Sequence, residues 1–254
     1  MDEPSSITCD YLIIGAGASG CAFADALLSR GKEQGNRYKL VIVDERDQPG
    51  GHWNDAYKFA RLHHPSRHYG VGSLELEKPV PTGHELHRAS PNELLAYYQD
   101  WMDKVVREQG VVYFPMSSIR SGHKIVSLLD PKQEVQVQVQ RKLVDTGFMR
   151  IQPPVSRAPP FEIAMGAVVV PPNHLSSISV ASPASKFVII GAGRTSIDVV
   201  LWLLSRKVPP ERLHWVIARD HWLMCREAII GDVWEKTNDN HMRACLTSHN
   251  LYHL

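Results

Sequence analysis

The chain has 254 residues, 43% of them hydrophobic and 22% charged, enough for one large or two small soluble globular domains. Lys plus Arg number 28 and Asp plus Glu 27, giving a net charge of +1; this lacks the basic excess of a nucleic-acid-binding protein. No apolar run approaches the roughly 20 residues that cross a bilayer. The acidic opening Met1-Asp2-Glu3-Pro4 lacks the basic and apolar stretches of a secretory signal, so a cytoplasmic protein is expected. Cys9, Cys21, Cys225 and Cys245 have no close pairing and read as reduced thiols; neither a disulfide frame nor a metal site is expected.

In chain order, the first element is a short apolar run, Tyr11 to Ile14, which predicts a buried strand of a parallel sheet. Gly15, Gly17 and Gly20 follow in G-x-G-x-x-G spacing, and the run Cys-Ala-Phe-Ala-Asp-Ala-Leu-Leu behind them favours a helix with small side chains toward the sheet. The spacing has a physical reading. Gly15 makes the tight turn, Gly17 lets backbone approach a pyrophosphate, and Gly20 lets helix and strand pack closely. The helix start, with Ala18 and Ser19, faces the phosphates. A second strand, Leu40 to Val43, ends in Asp44, whose carboxylate can accept hydrogen bonds from a ribose. The alternative is a Gly-rich turn in some other α/β protein.

The next stretch, Asp44-Glu-Arg-Asp-Gln-Pro-Gly-Gly-His-Trp53, separates FAD from NAD. It resembles the E-x-R-x-x-x-G-G-x-W segment of flavoproteins with two dinucleotide domains, among them the flavin-containing monooxygenases. Simple NAD dehydrogenases lack the Gly-Gly-x-Trp extension. The resemblance implies that Asp44 is the ribose ligand of FAD and that Glu45 and Arg46 lie beside the adenosine. It also implies that Gly51 belongs to the turn passing under the flavin, with His52 and Trp53 approaching it. Residues 57–73 form an irregular His- and aromatic-rich segment. By the same resemblance this loop passes the isoalloxazine, which makes Arg61, His63 and His64 the candidate catalytic groups on the flavin side. The alternative is that these histidines are ordinary surface or hydrogen-bonded loop residues.

Ser90-Pro91-Asn92-Glu93 reads as a helix start with a capping box. Leu94, Tyr98, Trp101, Met102 and Val105 recur at helical spacing, and Gly110 stops the helix. A buried strand is expected over Val111 to Phe114. Lys124 to Leu129, the turn at Asp130-Pro131 and the alternating Val135-Gln-Val137-Gln-Val139-Gln predict a hairpin. Leu143-Val144-Asp145-Thr146-Gly147 resembles the strand ending in A-T-G at which the FAD domain of that family hands over to its inserted domain, with Asp in place of the usual Ala. Residues 153–185 are rich in proline and serine and read as a linker.

A second dinucleotide turn lies in residues 186–198, where a buried strand leads into Gly191, Gly193, Arg194, Thr195 and Ser196. Ser196 is small enough for helix packing in the third glycine's place. The following strand, Leu213 to Ala218, finishes at Arg219, not at an acid. A guanidinium there pairs with the 2′-phosphate of NADP, with Arg194 assisting. The alternative is NAD, with Arg219 in a surface salt bridge.

The expected fold is therefore α/β: a three-layer, Rossmann-like FAD-binding domain over residues 1–150 with a small antiparallel insertion, a linker over 151–185, and a partial NADP-binding Rossmann unit over 186–254. Two dinucleotide turns in this order resemble FAD/NAD(P)-dependent oxidoreductases of the flavin-monooxygenase type. The resemblance implies that NADPH reduces FAD and that the reduced flavin and oxygen oxygenate a small organic substrate. Members of that family continue well beyond the second turn, whereas this chain ends soon after Arg219. Two other readings follow from that: a flavoprotein fold catalysing a non-redox cyclisation, isomerisation or dehydration, and a cofactor-binding subunit without activity. A homo-oligomer or a partner chain would complete the second domain.

Overall fold

The computed structural model describes residues 6–76, 87–147, 158–180 and 186–218. The first apolar run forms β1 (Ser6–Ile14), and the small-residue segment behind the glycines forms α1 (Ala18–Glu33). β2 (Leu40–Val43) is buried along its whole length and pairs parallel with β1, from Tyr11 opposite Leu40 to Ile14 opposite Val43. This β-α-β unit places the strand ends and the start of α1 on one edge of the sheet. The short strands β3 (Gly70–Val71) and β4 (Leu74–Glu75) make an antiparallel hairpin.

α2 (Pro91–Gln109) starts at the predicted capping box: Ser90 N–H donates to Glu93 Oε2 at 2.7 Å, and Glu93 N–H donates to Ser90 Oγ at 3.4 Å. It ends at Gly110 in the left-handed region, φ 68°. β5 (Val112–Phe114) pairs parallel with β2. β6 (Ser117–Arg120), β7 (Lys124–Ser127) and β8 (Glu134–Asp145) follow as an antiparallel meander. The sheet order is β5-β2-β1-β8-β7-β6. One expectation is corrected here. The alternating segment at 135–140 and the following Leu143–Asp145 belong to a single strand, β8. Its start is antiparallel to β7, while the strand runs parallel to β1 from Gln136 to Asp145, with a register shift between Cys9 and Tyr11 of β1. One edge of β8 thus serves the hairpin and the other the central pair.

Two side-chain layers flank the central strands. On one face Ile13, Ala16, Ala24, Leu28 and Ile42 pack with Tyr98, Trp101, Met102 and Val105 of α2. On the other, Leu12, Val41 and Val43 pack with Ile125 and Val137, so the meander folds across the second face and completes three layers. Each large side chain buried in this way contributes about 1.5–3 kcal/mol. The buried Asp25 of α1 joins helices and hairpin: it accepts from Trp101 Nε1 at 2.9 Å, from Ser73 N–H at 2.8 Å and from the Ser73 hydroxyl. Tyr97 Oη completes the anchor, donating to Leu74 O at 2.5 Å and accepting from Val71 N–H at 2.7 Å.

The chain divides into two compact units, Met1–Asn173 and His174–Leu254, and the division falls inside the Pro- and Ser-rich stretch, within the short α3 (Pro172–Leu175). In the second unit β9 (Phe187–Ile190), α4 (Arg194–Ser205) and β10 (Leu213–Val216) form a parallel β-α-β arrangement, with Phe187 opposite Leu213 and Ile190 opposite Val216. Among the described residues no helix is long and apolar enough to cross a membrane.

Candidate nucleotide site

The turn between β1 and α1 is shaped by contacts that exclude side chains. Gly15 sits at φ 102° and donates its N–H to Val43 O at 2.8 Å. A Cβ on Gly20 would stand 1.9 Å from Gly15 O, so the third position must be glycine at this helix-to-strand distance. Gly17 caps α1 with no side-chain hydrogen bond, no acidic residue occupies the first turn, and Ala18 and Ser19 are exposed. The first-turn amides therefore keep their partial positive charge available for an anion.

Asp44, at the tip of β2, is buried, and among the described residues two donors anchor its carboxylate. Ala16 N–H donates to Oδ2 at 2.6 Å and Arg46 N–H donates to Oδ1 at 2.8 Å. A carboxylate accepts about four hydrogen bonds, which leaves capacity for sugar hydroxyls. The chain then turns back through Gly50 and Gly51, at φ 117° and 58°. Gly50 N–H donates to Ala16 O at 2.9 Å, and a Cβ on Gly17 would meet the Gly51 Cα at 3.4 Å. The Gly-Gly turn thus rests on the Gly-x-Gly turn backbone to backbone, and side chains at either position would fill the gap. Asn54 Nδ2 secures the turn by donating to Gly51 O at 3.0 Å and Gln48 O at 3.3 Å. Shape, open amides and spare carboxylate capacity fit the diphosphate and ribose of a dinucleotide.

Of the residues expected beside the adenosine, Glu45 is exposed and Arg46 is paired with Asp55 at 2.6 Å. His52 and Trp53 lie side by side, ring centroids 5.1 Å apart. Partial burial lowers the His52 pKa, Arg46 lowers it further, and Asp55 opposes the shift; the neutral imidazole is favoured.

The candidate flavin-side groups Arg61, His63 and His64 are all exposed. Arg61 Nη1 donates to Glu93 Oε2 at 3.3 Å, and His64 Nδ1 lies 3.4 Å from Tyr69 Oη. Sequence reasoning missed the residues that hold this loop. Ser66 Oγ is 3.1 Å from His87 Nδ1, and His87 Nε2 is 2.9 Å from Glu93 Oε1. Ser, His and Glu are the components of a hydrolytic triad, but Ser66 is fully buried and its Oγ already accepts from Ala89 N–H at 2.8 Å, so it offers no accessible nucleophile. Only the Ser90–Glu93 capping box was a visible signal, since Ser66 and His87 lie in loops without periodicity.

The second turn, in its own unit, repeats the spacing with looser packing. Gly191 has φ 126°, donates its N–H to Val216 O at 3.0 Å and accepts from Trp215 Nε1 at 2.7 Å. A Cβ on Gly191 or Gly193 would meet nothing within 4 Å. Ser196 is accommodated by donating its hydroxyl to Gly193 O at 2.6 Å, and Thr195 is half-buried beside it. Arg194, expected to assist at a phosphate, donates Nε to Asp198 Oδ1 one helical turn on, at 2.8 Å. Arg219 lies outside the described residues. Among the described residues no group of three or more His, Cys, Asp or Glu is arranged to hold a metal ion.

The fold and the first turn are Rossmann-like, and residues 13–72 match the family of NAD(P)-binding Rossmann-like domains. Among curated proteins, uncharacterized proteins of Mycobacterium tuberculosis (strain ATCC 25618 / H37Rv) and Mycobacterium bovis (strain ATCC BAA-935 / AF2122/97) are each 38% identical over 230 residues, covering 88% of this chain. The chain spans 41% of the length of these relatives. Among solved structures, the open form of cyclohexanone monooxygenase aligns with a TM-score of 0.53 at 17% identity, covering 85% of this chain and 41% of that one. The polycyclic ketone monooxygenase of Thermothelomyces thermophila aligns at 0.52, also at 17% identity, over 80% of this chain and 34% of that one. The resemblance to flavin-containing monooxygenases read from the Gly-Gly-x-Trp stretch is thus a resemblance of fold.

Proposed function

We propose that the protein is a flavoprotein oxidoreductase of the flavin-monooxygenase type, which holds FAD in the first unit, draws electrons from NADPH and oxidises a small organic molecule. The observation that supports this most directly is the contact of Gly51 with Gly17, because it brings side-chain-free backbone together next to a carboxylate with spare acceptor capacity, as a diphosphate and ribose require. The start of α1 binds the diphosphate, Asp44 takes the adenosine ribose, and the turn carrying His52 and Trp53 orients the ring system. Bound FAD supplies the electron transfer and oxygen chemistry. Arg61, His63 and His64 provide hydrogen bonds and proton exchange on the flavin side. The 2′-phosphate preference rests on Arg219 and Arg194. Because the chain spans less than half the length of its curated relatives, the substrate and the complete reaction belong to this proposal.

The test is the visible spectrum of the purified protein, as isolated and after reconstitution with FAD. Flavin bands that bleach with NADPH under exclusion of oxygen are expected. A yellow protein that NADPH leaves unbleached removes the reductase step and favours a non-redox role. A colourless protein that takes up no FAD overturns the reading.

A further inference from the structure

A carboxylate, an imidazole and a hydroxyl meet where the His-rich loop crosses the start of α2, outside the cradle of the two glycine turns. Leu62 N–H donates to Ala89 O at 3.1 Å and Ser66 N–H donates to His87 O at 2.8 Å, so backbone already joins the two segments. The side chains extend the join. Glu93 Oε2 accepts from Ser90 N–H at 2.7 Å, from Ser90 Oγ at 2.6 Å and from Arg61 Nη1 at 3.3 Å, while Oε1 faces His87 Nε2 at 2.9 Å. A single carboxylate therefore caps α2, holds Arg61 and engages the imidazole.

Donor and acceptor chemistry decides where the protons are. Hydrogen bonds from the Ser90 hydroxyl and N–H hold the Glu93 carboxyl below the usual range, with His87 adding to the shift, so Glu93 only accepts. His87 Nε2 must then carry a hydrogen. In the neutral ring Nδ1 is left as an acceptor for the Ser66 hydroxyl.

We infer that Glu93 and His87 are positioning residues: through Ser66 they lock residues 61–66 onto the start of α2 in one imidazole tautomer, and they hold the Arg61 guanidinium by one edge while its other N–H groups, without a further partner among the described residues, remain for an anionic group of a bound ligand. The second half of this statement rests on the proposal that residues 61–64 face the flavin.

The experiment has two readouts on the full chain. The first is the ¹⁵N NMR spectrum of the His87 imidazole, assigned by its loss in His87→Gln, at about pH 8, above the ordinary imidazole range. The wild type is expected to show the Nε2–H tautomer, and Glu93→Gln a mixture of tautomers. Equal tautomer ratios in the two proteins overturn the inference, whether or not flavin binds. The second readout is FAD affinity beside thermal stability. Glu93→Gln is expected to weaken FAD binding about three- to fivefold, as loss of a half-exposed ion pair allows. Ser90→Ala keeps the carboxylate and loses the cap hydroxyl, so it is expected to lower Tm with FAD affinity unchanged. A wild type that binds FAD while both variants lower Tm alone shows a purely structural network and overturns the positioning role. A wild type that binds no FAD overturns the flavin reading and with it the Arg61 half, leaving the tautomer lock to the NMR result.

Discussion

Ala16 donates its backbone N–H to Asp44 Oδ2 at 2.6 Å, so the tip of β2 is tied to the middle of the first Gly-x-Gly turn. The other oxygen takes Arg46 N–H at 2.8 Å, and the residue is buried. Its carboxylate is at once the joint of the turn and the sugar-facing group of the proposed site. Asp44→Asn keeps the shape but points an amide at one of the two backbone N–H groups. A loss of about 1–3 kcal/mol is expected from the unsatisfied donor, read as a lower denaturant midpoint with an unchanged slope. Wild-type stability in this variant would show that the two hydrogen bonds do not hold the turn.

The two glycine turns respond differently to the same change. In Gly20→Ala the added methyl lies 1.9 Å from Gly15 O, a backbone atom that cannot step aside. Overpacking of this kind costs about 1–3 kcal/mol or more. In Gly193→Ala the methyl meets nothing within 4 Å and φ is −79°, open to any residue. A change within about 1 kcal/mol, the scale of an N-cap effect, is expected there. Paired thermal melts check this, and equal losses at both positions would contradict the packing difference.

Tyr113 Oη is buried without a hydrogen-bond partner among the described residues. Burial first, then the Asp44 charge, pushes its hydroxyl well above the ordinary phenol range. Tyr113→Phe removes a desolvated hydroxyl and little else, so a gain of about 1 kcal/mol in stability is expected. A loss in chemical denaturation would reveal a partner for the hydroxyl.

Burial, reinforced by Asp44 and Asp25, pushes the Cys21 thiol up to about 12. The folded protein favours the neutral thiol, so this contribution to stability is complete below the ordinary cysteine range and is lost as pH rises toward that value. At about pH 8 the native thiolate fraction is negligible. Iodoacetamide followed by peptide mapping is expected to leave Cys21 unlabelled in the native protein and to label it after unfolding. Fast native labelling would contradict its buried placement.

Much of this architecture could be read from local pattern, and the remainder depends on contacts between distant segments. β2 and α2 were legible because Leu40–Val43 is wholly apolar and because Ser90, Pro91, Glu93 and Gly110 are each suited to one helix-end position. β8 reads as two pieces in the sequence because the Val-Gln alternation stops at Gln140, whereas the strand runs on beside β1 past the register shift between Cys9 and Tyr11. The Gly17–Gly51 contact follows from a motif only when the motif is recognised; no periodicity announces it. The Ser66–His87–Glu93 line was invisible for a simpler reason: its members come from two loops and a helix cap, brought together by backbone pairing at Leu62 and Ser66.

The most direct test of the central claim is titration of the purified chain with FAD, followed by quenching of flavin fluorescence, for the wild type and for Gly17→Leu. Saturable binding with one site per chain is expected in the wild type, and its loss in a folded Gly17→Leu, where the side chain enters the space against Gly51. Absence of binding in the wild type, or equal affinity in both proteins, would contradict the assignment of the diphosphate to this turn.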